Sequence, residues 1–289
     1  MNRRAQLIAL IMLLGPMTLT HASNVNECTP AMAMSAEAAM LKAGSSHWTD
    51  FYHHYKKYGA CDDGSIGEGF SDAAAKLFAN HWDEIGKFIE LTTNDDDFRY
   101  FAIKHLDETD EVSDLARIAE NAQTNCPQGH RQLCDEIWAQ AKFPDVAEWL
   151  WYNARTKMSE TGSPIGYYPE YDTFIEGDMS GNGDGDVVVA YTLEGVRGGT
   201  DWLRYVAVFL KSSKKGSQEH EYCCTYQIGG KGIATEDKIF IQNHEIVIST
   251  KAFVEGKDAL CCPSKPLTIR LKLVDGRLVK VEDKKYIKG

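Results

Sequence analysis

Glu176-Gly-Asp178-Met-Ser180-Gly-Asn182-Gly-Asp184-Gly-Asp186 leads without interruption into Val187-Val-Val-Ala-Tyr191, and the fold turns on that junction. In the first segment acidic and small polar side chains alternate with glycine, which suits a tight, hydrated turn and gives a packed core nothing to hold. The second is a β-branched and aromatic run, the composition of a buried strand. Upstream of the junction apolar residues recur every three or four positions. Downstream they come in short runs closed by Gly, Asn, Asp, Ser or Lys. The chain therefore reads as α+β: an all-α helical array over residues 23–160, then an antiparallel β-sheet domain over 161–289, curled as a half-barrel or small sandwich.

The helical half is explicit in its spacing. Trp48, Phe51, Tyr52 and Tyr55 fall at i, i+3, i+4 and i+7 and make one aromatic face of a helix. Phe70, Ala74, Leu77 and Phe78 repeat the pattern, as do Leu115, Ile118, Ala119 and Ala122. Thr29-Pro30 is a cap followed by Pro at the first helical position. Starts at short, regular intervals imply antiparallel helical pairs. His47, Asp50 and His54 share a helix face and could in principle hold Zn²⁺, but a solvated polar face is the ordinary reading of such a triple.

Beyond Ser159–Pro169, read as the connection between the halves, six strands are expected: 187–193, 205–210, 222–228, 238–241, 245–250 and 267–274. Asn243-His244 and Asp275-Gly276 look like hairpin turns, the second leading to a seventh strand at 278–281.

The first residues carry a different message. Arg3-Arg4, an apolar run from Leu7 to Leu14, the breakers Gly15-Pro16 and small residues at Thr20 and Ala22 stand in the order of a signal peptide. Cleavage is expected after Ala22, giving a periplasmic or secreted protein; the apolar core is too short to span a bilayer. All eight cysteines, Cys28, Cys61, Cys126, Cys134, Cys223, Cys224, Cys261 and Cys262, follow that point. An even count in an exported chain points to disulfides. Pairing within each half gives Cys28 with Cys61, Cys126 with Cys134, and the 223/224 doublet with the 261/262 doublet. A four-thiolate zinc site is the rival for the doublets, though the usual C-x2-C spacing is missing.

Charge divides the same way. Residues 23–160 hold 24 Asp plus Glu against 12 Lys plus Arg, while residues 161–289 hold 18 against 17. So acidic a front half speaks against nucleic acid and anionic lipid. It admits a basic protein partner in the cell envelope, and equally a plain role in solubility.

From Asp178 the turn reads D-x-S-G-N-G-D-G-D. It resembles the D-x-[DN]-G-D-G-x-x-D calcium loops of FG-GAP and VCBS-type repeats, matching at Asp178, Gly181, Gly183 and Asp186, with Ser180 and Asn182 in oxygen-ligand places. It is similar also to the first half of an EF-hand loop, where Asp184 stands at the place that lends a backbone carbonyl. The resemblance covers residues 178–186 alone. It implies Ca²⁺ held by Asp178, Ser180, Asn182, Asp184 and Asp186, weakly, because Val189 occupies the place of the bidentate Glu.

Motifs for catalysis are missing: there is no G-x-S-x-G elbow, H-E-x-x-H, P-loop or dinucleotide fingerprint. The expected function is an exported, non-catalytic binding protein with a structural calcium loop, a class that includes inhibitors and immunity-type proteins. A calcium-dependent secreted hydrolase and a structural envelope assembly factor are the alternatives.

Overall fold

A computed structural model describes residues 28–42, 47–107, 109–156, 162, 165–183, 185–196, 199–214, 219–231, 234–259 and 262–281. The expected export segment, Asp184 and Cys261 lie outside them. Eight helices come first: α1 (Pro30–Lys42), α2 (Trp48–Tyr58), α3 (Gly64–Asn80), α4 (Ile85–Thr92), α5 (Asp96–Lys104), α6 (Val112–Thr124), α7 (Arg131–Lys142) and α8 (Pro144–Thr156). Their aromatic stripes converge. Trp48 lies 4.5 Å from Phe88 and 4.6 Å from Phe78, ring centre to ring centre, and Phe51, Phe70 and Phe98 complete a fully buried centre. Rings bury more area per residue than aliphatic side chains, so short helices can share one firm core. Asp95 starts α5 by accepting the Phe98 amide at 3.0 Å, and also receives the Tyr52 hydroxyl and Lys56 ammonium.

Nine strands follow among the described residues: β1 (Gly166–Tyr167), β2 (Thr173–Gly177), β3 (Asp186–Glu194), β4 (Trp202–Lys211), β5 (His220–Gly230), β6 (Ala234–Gln242), β7 (Glu245–Ala252), β8 (Lys265–Val274) and β9 (Arg277–Lys280). Each pairs antiparallel with the next from β3 onward, and β1 and β2 both lie along β3. Between β5 and β6 the pairing shrinks to Gly230 opposite Ala234, and the chain folds over at this corner. Gly230 sits there at φ 152°, which side chains disfavour. Two antiparallel layers result, β1–β5 and β6–β9, as a sandwich reading expects.

β3 explains its own sequence. Val188 and Ala190 face the second layer with Val206, Val208, Ile246, Ile248 and Leu271. Val187, Val189, Tyr191 and Leu193 face the other way, onto Phe143, Val146 and Leu150 at and within α8. A strand covered on both faces has no polar side to show, hence the unbroken apolar run. The last helix therefore packs on the sheet rather than in the aromatic helical core.

Two details differ from the sequence reading. The connection after residue 159 contains β1, and β2 precedes the acidic segment, so that segment is a hairpin loop closed by Gly177 opposite Asp186. Neither strand shows a period of its own, one having two residues and the other ending in turn-forming types. The cysteines also divide differently. Cys28–Cys61 and Cys126–Cys134 are bonded as expected. The doublets are not cross-linked: Cys223 and Cys224 are free thiols, and Cys262 is disulfide-bonded to neither of them. The reason is topological, since Cys223-Cys224 lies on β5 beside β4, whereas Cys262 leads into β8 between β7 and β9.

Candidate binding cleft and the acidic hairpin

The hairpin between β2 and β3 is built around Asp186. Its carboxylate is completely buried, yet one oxygen accepts from the Met179 amide, the Ser180 amide and the Ser180 hydroxyl, each at 2.9 Å, while the other accepts from the Lys211 amide at 3.0 Å. Asp178 accepts from the Gly181 amide at 2.6 Å, and its backbone carbonyl accepts from His244 Nδ1 at 2.9 Å. Gly181 and Gly183 hold φ of 81° and 82°, the left-handed turn conformation that the sequence requires glycine for. Lys142 comes within 3.9 Å of Glu176 at the hairpin base.

Three donors converge on one oxygen of the Asp186 carboxylate and one on the other. Asp186 is thus engaged mainly by the loop's own donors, with the second oxygen bonded to the Lys211 amide alone. Ser180 points its hydroxyl inward to Asp186, Asn182 is exposed, and Asp184 falls outside the described residues. What the loop does visibly is tie β3 to the end of β4 through the Lys211 amide.

The helical half also holds a buried polar cluster that the sequence reading did not single out. Ser71 Oγ lies 2.9 Å from His105 Nδ1 and donates to Asp107 at 2.9 Å; His105 Nε2 lies 3.2 Å from Asp62. The side-chain types are those of a hydrolytic triad, but Ser71 is 3% exposed in the middle of α3 and cannot meet a substrate. The cluster is an interior brace between α3 and α5. Burial would push Asp62 up, but His105 and Lys104 outweigh it and hold the carboxyl at about 2. His47 reaches Glu84 at 3.0 Å rather than joining Asp50 and His54, and no three His, Cys, Asp or Glu among the described residues are placed to hold a metal.

A cleft that the sequence did not single out opens where helices meet sheet. Counted out to its open mouth it measures about 410 Å³, and it is lined from α5, α7, α8, β1 and β2. Tyr100 and Trp151, stacked with ring centres 3.5 Å apart, line it together with Tyr167 and Phe174. Glu136, 8% exposed, is held by Arg99 at 2.9 Å. Tyr167 donates its hydroxyl to Asp172 at 2.6 Å. Burial and the adjoining Asp172 charge push that phenol well above its usual range, so it keeps its proton and remains a donor. Tyr152, Tyr168 and Tyr171, neighbours in sequence of lining residues, are 66%, 43% and 55% exposed. The only hint of this in the sequence is aromatic density, in Trp149-Leu-Trp-Tyr152 and Tyr167-Tyr-Pro-Glu-Tyr171.

Comparison with protein-family models, with curated proteins and with solved structures returns no match for this chain.

Proposed function

We propose that this is an exported, non-catalytic binding protein whose cleft between helices and sheet receives a basic side chain of a protein partner in the periplasm or outside the cell. The observation that carries the reading is the cleft itself: four aromatic rings and the carboxylates of Glu136 and Asp172 in its lining, and exposed tyrosines beside it. Its enclosed part measures only about 40 Å³, which suits the end of one side chain better than a whole small-molecule substrate. A guanidinium or ammonium gains from ring faces and carboxylates at once. Tyr and Trp at the rim are the residue types that dominate protein interfaces. The surrounding helical half is strongly acidic, which favours approach of a basic partner. Catalysis has less support, because the cleft's polar groups already bond to one another. Two disulfides in the helical half fit an oxidising compartment.

The test is recovery of a stoichiometric partner from envelope extract by the wild type, and its loss on Trp151→Ala and on a Tyr152/Tyr168/Tyr171→Ser triple variant with unchanged circular dichroism. Turnover of a hydrolase substrate, abolished by Trp151→Ala, would replace the reading with the enzymatic one. The 178–186 hairpin carries a separate proposal, a structural Ca²⁺ ion held by Asp178, Ser180, Asn182, Asp184 and Asp186. Ca²⁺ should then raise the melting temperature of the wild type and leave an Asp178→Asn/Asp186→Asn variant unchanged. Identical melting curves in EGTA and in excess Ca²⁺ remove the ion and leave the cleft reading intact.

A further inference from the structure

Adjacent residues on a regular strand point to opposite faces of the sheet. Cys223 and Cys224 do not. In the β4–β5 ladder Val208 stands opposite Cys224 and Phe209 opposite Tyr222, so Cys223 is an extra residue without a place in the register. Such a bulge bends the strand and re-aims its side chains. Here both sulfurs turn to the same side, pack against the core between the two layers, and lie 3.2 Å apart. Both are half-buried, beside the exposed Tyr222. Their position in the fold is equally particular. β5 also touches β9, and Leu278 of β9 lies in the same core cluster as both sulfurs.

We infer that Cys223 and Cys224 form a vicinal dithiol site that reacts as a unit, closing to an intraresidue-pair disulfide by exchange with an external disulfide, and that this chemistry is read out at the β5–β9 seam. The sulfurs need to approach by little more than 1 Å to reach bonding distance. Burial, together with the adjacent Cys223 sulfur, pushes the Cys224 thiol up to about 12, so it stays protonated and attack falls to Cys223. Cys223 Sγ, losing its proton to solvent, attacks one sulfur of the external disulfide RSSR, forming a mixed disulfide and releasing RS⁻, which takes up a proton. Cys224 then loses its proton and displaces the second RS⁻ from Cys223, which is protonated in turn. Two thiols are oxidised, one disulfide is reduced to two RSH, and no other reactant enters. Closing the ring re-aims the Cys224 sulfur within the core it shares with Leu278 and so loosens the seam.

The test uses the full chain and two probes, glutathione disulfide and phenylarsine oxide. A trivalent arsenical bridges two thiols only when they sit side by side. The wild type should take up one arsenical per chain, retain it in excess monothiol at least tenfold longer than Cys223→Ser does, and release it to a dithiol. With glutathione disulfide the peptide containing residues 223–224 should lose two hydrogens without retaining glutathione, whereas Cys224→Ser should keep a mixed disulfide on Cys223. Hydrogen exchange at Leu278 should quicken on oxidation of the wild type and not of Cys223→Ser. Equal arsenical retention in both proteins, independent glutathionylation of the two thiols, or a cross-link from either to Cys261 or Cys262 would overturn the inference. A folding defect in Cys223→Ser is covered by Cys224→Ser, which should lose arsenical retention in the same way.

Discussion

Asp186 and Asp110 show how differently one side chain can behave in the two halves. Asp186 is fully buried yet matched by four donors, so its charge is a fastening rather than a liability. Asp110 is the reverse case. Burial pushes its carboxyl up to about 7, and the charges of Asp107, Asp72 and Asp114 act in the same direction against one hydrogen bond from the Asp107 amide. An unfolded aspartate ionises near pH 3.9. Between about 4 and 7 the unfolded chain therefore releases a proton that the folded chain retains, and folding weakens as pH rises through that window. Asp110→Asn keeps an oxygen for the Asp107 amide and removes the penalty. It should raise stability at pH 8 by on the order of 1–2 kcal/mol, allowing for water that still reaches the group, and change little at pH 4. Urea midpoints at the two pH values check this; equal shifts at both would assign the effect to packing. Sequence shows Asp107, Asp110 and Asp114 as an ordinary acidic stretch, because burial of one carboxyl among three depends on where α3 lies.

Among elements, the covalent ties have unequal reach. Cys28–Cys61 closes a loop over a sequence separation of 33, and Cys126–Cys134 over 8. Loop entropy puts their contributions at about 4 and about 2.5 kcal/mol. The Cys28→Ser/Cys61→Ser pair should thus lower stability by roughly 1 kcal/mol more than Cys126→Ser/Cys134→Ser, measured by guanidinium unfolding of both variants. Both ties could be anticipated from spacing within one half. The helices and β3 to β9 were legible too, through periods set by local geometry and turn residues such as Asn243-His244, whose φ of 52° and 58° close a hairpin. The bulge at Cys223 was not, since an extra residue exists only relative to the register of β4. The cleft was hidden for a similar reason: Tyr100, Glu136 and Trp151 come from three separate helices and Asp172 from the turn before β2, and nothing in their own sequence neighbourhoods marks them as companions.

The molecule as a whole is joined through α8, which leaves the helical array in sequence but packs Val146 and Leu150 on the outer face of β3 and β4. Trp149 adds a stack on Tyr222 of β5 with ring centres 4.1 Å apart. A fragment of residues 161–289 would leave Val187, Val189, Tyr191 and Phe209 facing water, a contiguous apolar patch of the kind that drives association. It should self-associate and bind a hydrophobic dye, whereas residues 142–289, which keep the helix, should elute as a monomer with little dye binding. Size-exclusion chromatography of the two decides it. The same helix sets a schedule for synthesis. The aromatic core formed by α1 to α7 can close as soon as those residues emerge, from a ribosome or a translocation pore. The apolar side of α8 then waits, uncovered, until Phe209 has followed it out. During that interval the nascent chain offers a holding chaperone one short, well-defined greasy surface, and any slowing of translation between residues 150 and 209 prolongs the exposure.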